Sequence, residues 1–179
     1  AGLQIQTITN NALASPYTLG ITASASFGAA IAITLGLSVA GYLWIGTALL
    51  ALVFALAVSL LIFYLGRLKG MSTSTLILSG IIMNFFFQAL QQYLQYRASP
   101  EIAQIISGWT FGNLQRSSWM SVVVSGCLLV MGAALLSGWS WRLTVLTTGE
   151  ERARSLGINV ERLRLHVFLI CSFLIAGAV

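Results

Sequence analysis

A row of amide side chains is the most distinctive chemical feature of the sequence. Gly80, Asn84, Gln88, Gln91 and Gln95 recur at steps of 4, 4, 3 and 4 residues, the spacing that places side chains on one face of an α-helix. Facing lipid, each amide would cost free energy unless it had a hydrogen-bond partner. The row therefore faces either a polar pathway, which we favour, or other helices to which it hydrogen-bonds.

Ionisable and thiol chemistry is almost absent from the chain. All four acidic residues are Glu, the only histidine is His166, and the two cysteines, Cys127 and Cys171, lie in apolar runs. This composition argues against a disulfide scaffold, a Cys/His metal site and a proton relay within the membrane. A membrane-embedded enzyme, which would need clustered acids, His or Cys, or a receptor subunit without transport is therefore the more remote alternative. We expect no catalytic residues and no cofactor.

The elements that must position the amides are predicted to be membrane helices. Of the 179 residues 58% are hydrophobic and 7% charged, against about 45–50% and about 25% in soluble domains. This excludes an ordinary soluble enzyme and, despite the net charge of +5, a nucleic-acid binder. A membrane-spanning helix needs about 20 mostly apolar residues. Four runs qualify, at residues 18–40, 42–65, 75–96 and 118–138, and a fifth run begins near residue 165.

The sequence thus predicts an all-α, polytopic membrane protein. Residues 1–9 would be the end of an earlier helix, so the chain would be a fragment with four full spans and part of a further one. Small residues recur every four positions in the first run and predict close helix packing. They are Gly20, Ser24, Gly28, Ala32 and Gly36.

The distribution of Lys and Arg predicts the orientation of these helices. Seven basic residues, among them Arg67 and Lys69, fall in connections that would share one side with the 10–17 turn, whereas Arg97 and Arg116 fall on the other. Lys and Arg accumulate in cytoplasmic loops. We therefore place the connection at Arg67 in the cytoplasm and residues 98–117 outside.

The segment 146–164 has the pattern of two short cytoplasmic helices. Thr147 or Thr148 can cap the first helix, Gly157 suits the position after its end, and Asn159 can cap a second helix over 160–163. Short amphipathic helices of mixed charge between two spans indicate a docking surface, and the alternative is a pair of helices resting on lipid.

Three stretches of the sequence resemble a known family. They are GLQIQTITNNALASPYTLGI near the start, MSTSTLILSG before the third run, and LTVLTTGEERARSLGINVERLR near the end. A W-x-x-G-x-L pattern formed by Trp109, Gly112 and Leu114 lies between the last two. The chain resembles the FecCD-type permease subunits of bacterial ABC importers for iron–siderophore complexes, haem and cobalamin. Ala12 stands where the family usually has proline.

The resemblance implies a set of partners and a location. Two permease subunits would surround a central pathway in the cytoplasmic (inner) membrane, with cytoplasmic ATP-binding subunits that carry out ATP hydrolysis. An external substrate-binding protein would deliver an iron–siderophore complex, with cobalamin or haem as alternatives. Residues 1–179 would form part of the permease domain and residues 146–164 its coupling segment.

The resemblance also implies which residues act. The cytoplasmic gate would comprise Asn11, Leu13, Thr73 and Ser74. The pathway assignment of Asn84, Gln88, Gln91 and Gln95 comes from their spacing and not from the resemblance. Contact with the ATPase would be made by Gly149, Glu150, Ala153, Arg154, Leu156 and Gly157.

Overall fold

The computed structural model describes residues 1–39, 41–68, 72–112 and 119–178, and the elements of these residues are helices. Lys69, Leu114 and Arg116, which entered the sequence analysis, lie outside the described residues. The eight described helices are α1 (Gly2–Thr9), α2 (Ile21–Thr34), α3 (Leu43–Leu68), α4 (Thr73–Arg97), α5 (Pro100–Phe111), α6 (Trp119–Thr147), α7 (Glu150–Ser155) and α8 (Val160–Ala178). The prediction of an all-α polytopic architecture is confirmed.

Three of these helices are long and apolar enough to cross a membrane: α3, α4 and the Val122–Thr147 part of α6. They correspond to the second, third and fourth predicted runs. Helix α6 continues well beyond the expected end at residue 138. The polar residues beyond that point fit within the helix, since Ser140 Oγ donates to Ser137 O and Thr144 Oγ1 donates to Ser140 O.

The prediction of a continuous span over 18–40 is wrong. Helix α2 has only 14 residues, about 21 Å at 1.5 Å per residue, because the chain has a left-handed backbone conformation at both Gly20 and Gly36. The chain before α2 lies deep in the bundle. Tyr17 accepts a hydrogen bond from Gln88, which is 15 residues, or about 22 Å, along α4 from Thr73.

Helix α2 lies at the centre of the bundle, against α3, α4, α5 and α8. The predicted close packing of its small residues is confirmed at Gly28, where an added Cβ would lie 2.5 Å from Leu50 O. Phe27, Phe54 and Phe87 form an aromatic cluster beside it, with ring centroids 5.4 to 6.2 Å apart. The short helix is therefore fixed by contacts that run along its length.

Helix α8 forms the other side of the core. It packs on α3 and α6, and a buried hydrogen bond between Ser59 and Ser172 joins it to α3. The predicted separate helix over 160–163 is wrong, since these residues are the first turn of α8. Asn159 caps that turn, because its Oδ1 accepts a hydrogen bond from Arg162 N at 3.0 Å.

The prediction of a threonine cap on α7 is also wrong. Gly149 occupies the N-cap position with φ 119° and makes no side-chain cap. Thr148 Oγ1 instead donates backwards to Val145 O at 2.8 Å. In the segment predicted to be external, helix α5 begins at Pro100 and is capped by Ser99, whose Oγ accepts from Ile102 N.

The basic residues assigned to one side do meet at one end of the bundle. Arg164 Nε donates to Ile8 O at 2.8 Å, which places the start of α8 beside the end of α1. Arg67, at the end of α3, lies 4.0 Å from Glu161 in the first turn of α8. Arg97 lies at the opposite end of α4. The ends of α1, α3 and α6 therefore share one end of the bundle.

Candidate gate and coupling segment

The turn after α1 is held by side-chain hydrogen bonds. Asn10 adopts a left-handed conformation with φ 48°, which asparagine tolerates better than most residues. Asn11 Oδ1 accepts from Leu13 N at 2.8 Å, and Gln6 Nε2 donates to Ala12 O at 2.8 Å. The hydrogen bond from Gln6 therefore restrains the backbone at Ala12, the position where the family usually has proline.

This turn presents Leu13 outwards, since 84% of the side chain is exposed. Thr73 and Ser74, the other two predicted gate residues, are the first two residues of α4. Ser72 caps that helix by accepting from Thr75 N at 3.2 Å. No hydrogen bond between the two predicted halves of the gate occurs in the described part of the chain. Their joint action as a gate remains a prediction.

The amide row divides into buried and half-buried members. Asn84 and Gln91 are buried, and Gln91 Nε2 donates to Thr110 Oγ1 of α5 at 2.8 Å. Gln88 and Gln95 are half-buried, and Gln88 donates to both Asn84 Oδ1 and Tyr17 OH. Both Gln88 and Gln91 thus hydrogen-bond to residues outside α4. The pathway role of the row remains a prediction, and the half-buried Gln88 and Gln95 are its more accessible members.

Two glycines let the chain before α2 approach α4 closely. A Cβ on Gly20 would lie 2.7 Å from Asn84 N, and a Cβ on Gly80 would lie 2.7 Å from Leu19 Cα. Gly20 also has φ +70°, which L residues with a side chain rarely adopt. These contacts position Tyr17 against Gln88. Reading the sequence by helical faces misses Tyr17, because it lies outside any helix.

Of the two apolar residues of the α7 segment that were expected to contact the ATPase, only one is exposed. Ala153 is fully buried in the main core, whereas Leu156 is 68% exposed. The expectation that Ala153 offers an apolar contact to a partner does not fit this burial, and Leu156 is the apolar side chain available there. Gly157 follows the helix with φ +77°, as predicted, so that its N–H reaches Arg154 O at 2.9 Å.

A buried arginine joins the start of α7 to the last turn of α1. Arg164 is 3% exposed, and its guanidinium donates to Ile8 O at 2.8 Å and to Glu150 Oε2 at 3.3 Å. Glu150 also accepts from Arg154, four residues later on α7, at 2.8 Å. Glu150 therefore contacts this chain's own arginines. The sequence gives no sign of this link, because Arg164 and Ile8 are 156 positions apart.

Arg164 differs in its surroundings from the other ion pairs described at this end. The side chains of Arg67 and Glu161 are 68% and 47% exposed, and such surface pairs contribute about 0–1 kcal/mol. Removing one partner from a buried hydrogen-bonded pair is far more costly. The Arg164 contacts are therefore the stronger connection between segment 146–164 and the other helices.

Comparison with known proteins places the whole chain in one family. The sequence model of the FecCD transport family matches residues 1–179. An iron chelatin transport system permease of Helicobacter pylori is 33% identical over 96% of this chain and 50% of its own length. The cobalamin import permease BtuC of Halobacterium salinarum is 30% identical over 100% and 47%.

A solved structure is also similar. It is described as an inward-facing conformation of a metal-chelate type ABC transporter, and it matches with a TM-score of 0.85 and 29% identity over 98% of this chain and 55% of that one. The chain spans about half the length of the curated relatives it matches. The family match, which extends over the full sequence, shows that the chain belongs to the FecCD transport family.

Proposed function

We propose that this chain is part of the permease subunit of an ATP-driven importer and that it supplies both a section of the translocation pathway and the surface on which the ATPase docks. ATP hydrolysis then takes place on a separate subunit. The permease pairs with a second permease subunit in the bacterial cytoplasmic membrane. A substrate-binding protein delivers the cargo from outside.

The observation that carries this proposal is the connection, through Arg164, from the start of α7 to the last turn of α1. Glu150 begins α7, Arg164 lies in α8, and Arg164 also donates to the carbonyl of Ile8, three residues before Asn11. A push on α7 therefore reaches the proposed gate through two polar contacts and the buried Ala153. Coupling between distant sites needs such a contiguous element with two arrangements.

The exposed face of α7 is suited to a protein contact. Leu156 projects an apolar side chain into solvent, and Arg152 beside it is exposed. A central apolar anchor surrounded by polar groups is the usual arrangement of an interface hot spot. Leu156 is thus proposed as the anchor on the ATPase, and Ala153 holds α7 to the permease core.

The pathway role falls to the half-buried amides. Gln88 and Gln95 lie on the α4 face that also carries the buried Asn84 and Gln91. An uncharged amide can exchange hydrogen bonds with a large polar solute without holding it by charge. This property fits a wide route for a metal chelate better than a selective ion filter.

For the cargo we propose an iron–siderophore complex. Support comes from the Helicobacter pylori relative, which is named for iron chelatin, and from the solved structure of a metal-chelate type transporter. The cobalamin permease of Halobacterium salinarum makes cobalamin the second candidate.

Uptake by the full-length importer tests this function. The complete permease, its ATPase and its binding protein are reconstituted in proteoliposomes, and uptake of ⁵⁵Fe-siderophore and of labelled cobalamin is measured with and without ATP. We expect ATP-dependent accumulation of the ferric complex. Accumulation of cobalamin alone would identify cobalamin, and not the ferric complex, as the cargo. Binding of either ligand without any ATP-dependent uptake would contradict the proposed transport function.

A further inference from the structure

An open pocket lined by basic and aromatic side chains lies between α6 and α8 at the end of the bundle that carries α7. Its volume is about 570 Å³, and its walls include Trp139, Arg142, Arg162 and His166, with Leu156 at the rim. The proposed transport function uses none of the four wall residues.

The side chains of this pocket are arranged around the Trp139 indole. The Arg142 guanidinium carbon lies 4.7 Å from the ring centroid, and the His166 ring stacks on the indole at 4.7 Å and 23°. His166 Nδ1 lies 2.6 Å from Arg162 O. Because a carbonyl only accepts, Nδ1 donates to it, and this bond fixes the ring.

The pocket carries positive charge without a neutralising partner in its lining. Its ten lining residues contain no acidic side chain. In the part of the chain that the structure describes, Glu161 pairs with Arg67, and Glu150 pairs with Arg154 and Arg164. No ion pair of the described residues includes Arg142 or Arg162, and both are exposed.

The tryptophans around the pocket indicate a position near the membrane–water interface. Trp139 lies eight residues before the end of α6, about 12 Å, and His166 lies six residues after the start of α8, about 9 Å. The apolar run of α6 ends just before Trp139, and Trp139 and Trp141 follow it. Tryptophan is enriched at the membrane–water interface. The inner wall therefore lies along α6, whose Val122–Thr147 part is long and apolar enough to cross a membrane, whereas a protein docked on α7 would meet Leu156 first.

We propose that this pocket binds the phosphate headgroup of an anionic phospholipid from the cytoplasmic leaflet. Arginine guanidinium groups match phosphate oxygens with paired hydrogen bonds, and basic pockets between membrane helices on the cytoplasmic side suit anionic headgroups. The lipid would bridge α6 and α8 beside α7. This site goes beyond the transport function, and it depends only on the membrane orientation.

Lipid titration of the full-length permease–ATPase complex tests the site. The complex in mild detergent is titrated with dioleoylphosphatidylglycerol, and bound lipid is counted by native mass spectrometry. The same titration uses dioleoylphosphatidylcholine, and inorganic phosphate is added as a competitor. The test variant is Arg142→Gln with Arg162→Gln, and the control is Arg97→Gln, an exposed arginine at the end of α4 outside the pocket lining.

We expect one phosphatidylglycerol to bind in preference to phosphatidylcholine, and the double variant to weaken it roughly thirtyfold, the change expected for two arginines near a membrane surface. The control should bind as the wild type does. Equal binding by wild type and double variant would overturn the proposal, and displacement of the lipid by inorganic phosphate would replace it with a free-phosphate site. Loss of the ATPase from the double variant with unchanged lipid binding would assign the pocket to the ATPase instead.

Discussion

Replacing Arg164 by methionine should uncouple the proposed importer. Methionine keeps most of the aliphatic part of the side chain but lacks the guanidinium group, so the hydrogen bond to Ile8 O and the pairing with Glu150 are lost. Ile8 is fully buried, so its carbonyl loses a partner at a cost of about 1–3 kcal/mol. Glu150 is 38% exposed and keeps its ion pair with Arg154 at 2.8 Å, so the loss of its contact with Arg164 costs less free energy than the loss at Ile8. We expect a total destabilisation of about 2–3 kcal/mol.

Arg154→Met provides the matched control. It removes the same type of side chain from the same glutamate, but the Arg154 side chain is 62% exposed. Exposed i,i+4 pairs contribute about 0.3–0.5 kcal/mol. Melting temperature and the number of ATP molecules hydrolysed per ligand transported are measured on the full-length complex. Arg164→Met should lower the melting temperature and raise that ratio, whereas Arg154→Met, at a residue predicted to contact the ATPase, is a control for the melting temperature alone and should change it little.

The number of ATP molecules hydrolysed per ligand transported distinguishes a loss of coupling from a loss of stability. A purely structural arginine would lower the amount of active complex without changing how much ATP each transport event consumes. If Arg164→Met gives the same melting temperature and the same ratio as the wild type, the proposed connection between α7 and the gate turn is refuted.

Three further predictions concern packing, the amide row and topology. Gly80→Val should destabilise the protein by about 1–3 kcal/mol, because the added valine Cβ would collide with the Leu19 backbone. An unchanged melting temperature would contradict the close contact between Gly80 and Leu19. Gln91→Leu should lower the melting temperature by removing the bond to α5, whereas Gln88→Leu should slow uptake in an assembled complex, and the reverse pattern would refute the division of the row. A cysteine at Ser155 should be labelled only from the cytoplasm and one at Ser99 only from outside, and reversed labelling would overturn the orientation.

The apolar runs of the sequence predict the long helices because a membrane helix satisfies its own backbone groups. The same reasoning fails for the first run. A left-handed residue at Gly20 ends any helix that begins earlier, and the need for this conformation comes from close contact with Asn84. That contact involves residues 64 positions apart, so hydrophobicity along the chain carries no information about it.

The candidate site is predictable in its position but not in its orientation. Segment 146–164 has the charge, the glycine and the location of a docking element, and α7 forms within it. Which side of α7 faces outwards depends on tertiary packing, which buries Ala153 and exposes Leu156. A helix of six residues is too short to show a clear apolar face in its sequence.

The burial of Arg164 could not be predicted from sequence patterns either. In the sequence it is one of several arginines in a segment predicted to be cytoplasmic, where the ordinary expectation is exposure. Its burial arises because the end of α1 offers a carbonyl and the start of α7 offers a carboxylate at the same place. Only the folded chain brings these groups together.

The central claim is that the exposed tip of α7 docks the ATPase, and co-purification of the ATPase with full-length Leu156→Arg tests it most directly. Phe111→Arg is the control, because Phe111 is an apolar residue 89% exposed at the opposite end of the bundle. We predict that Leu156→Arg loses the ATPase while Phe111→Arg retains it, with both proteins equally well folded by size-exclusion chromatography. Full retention of the ATPase by Leu156→Arg would contradict the account.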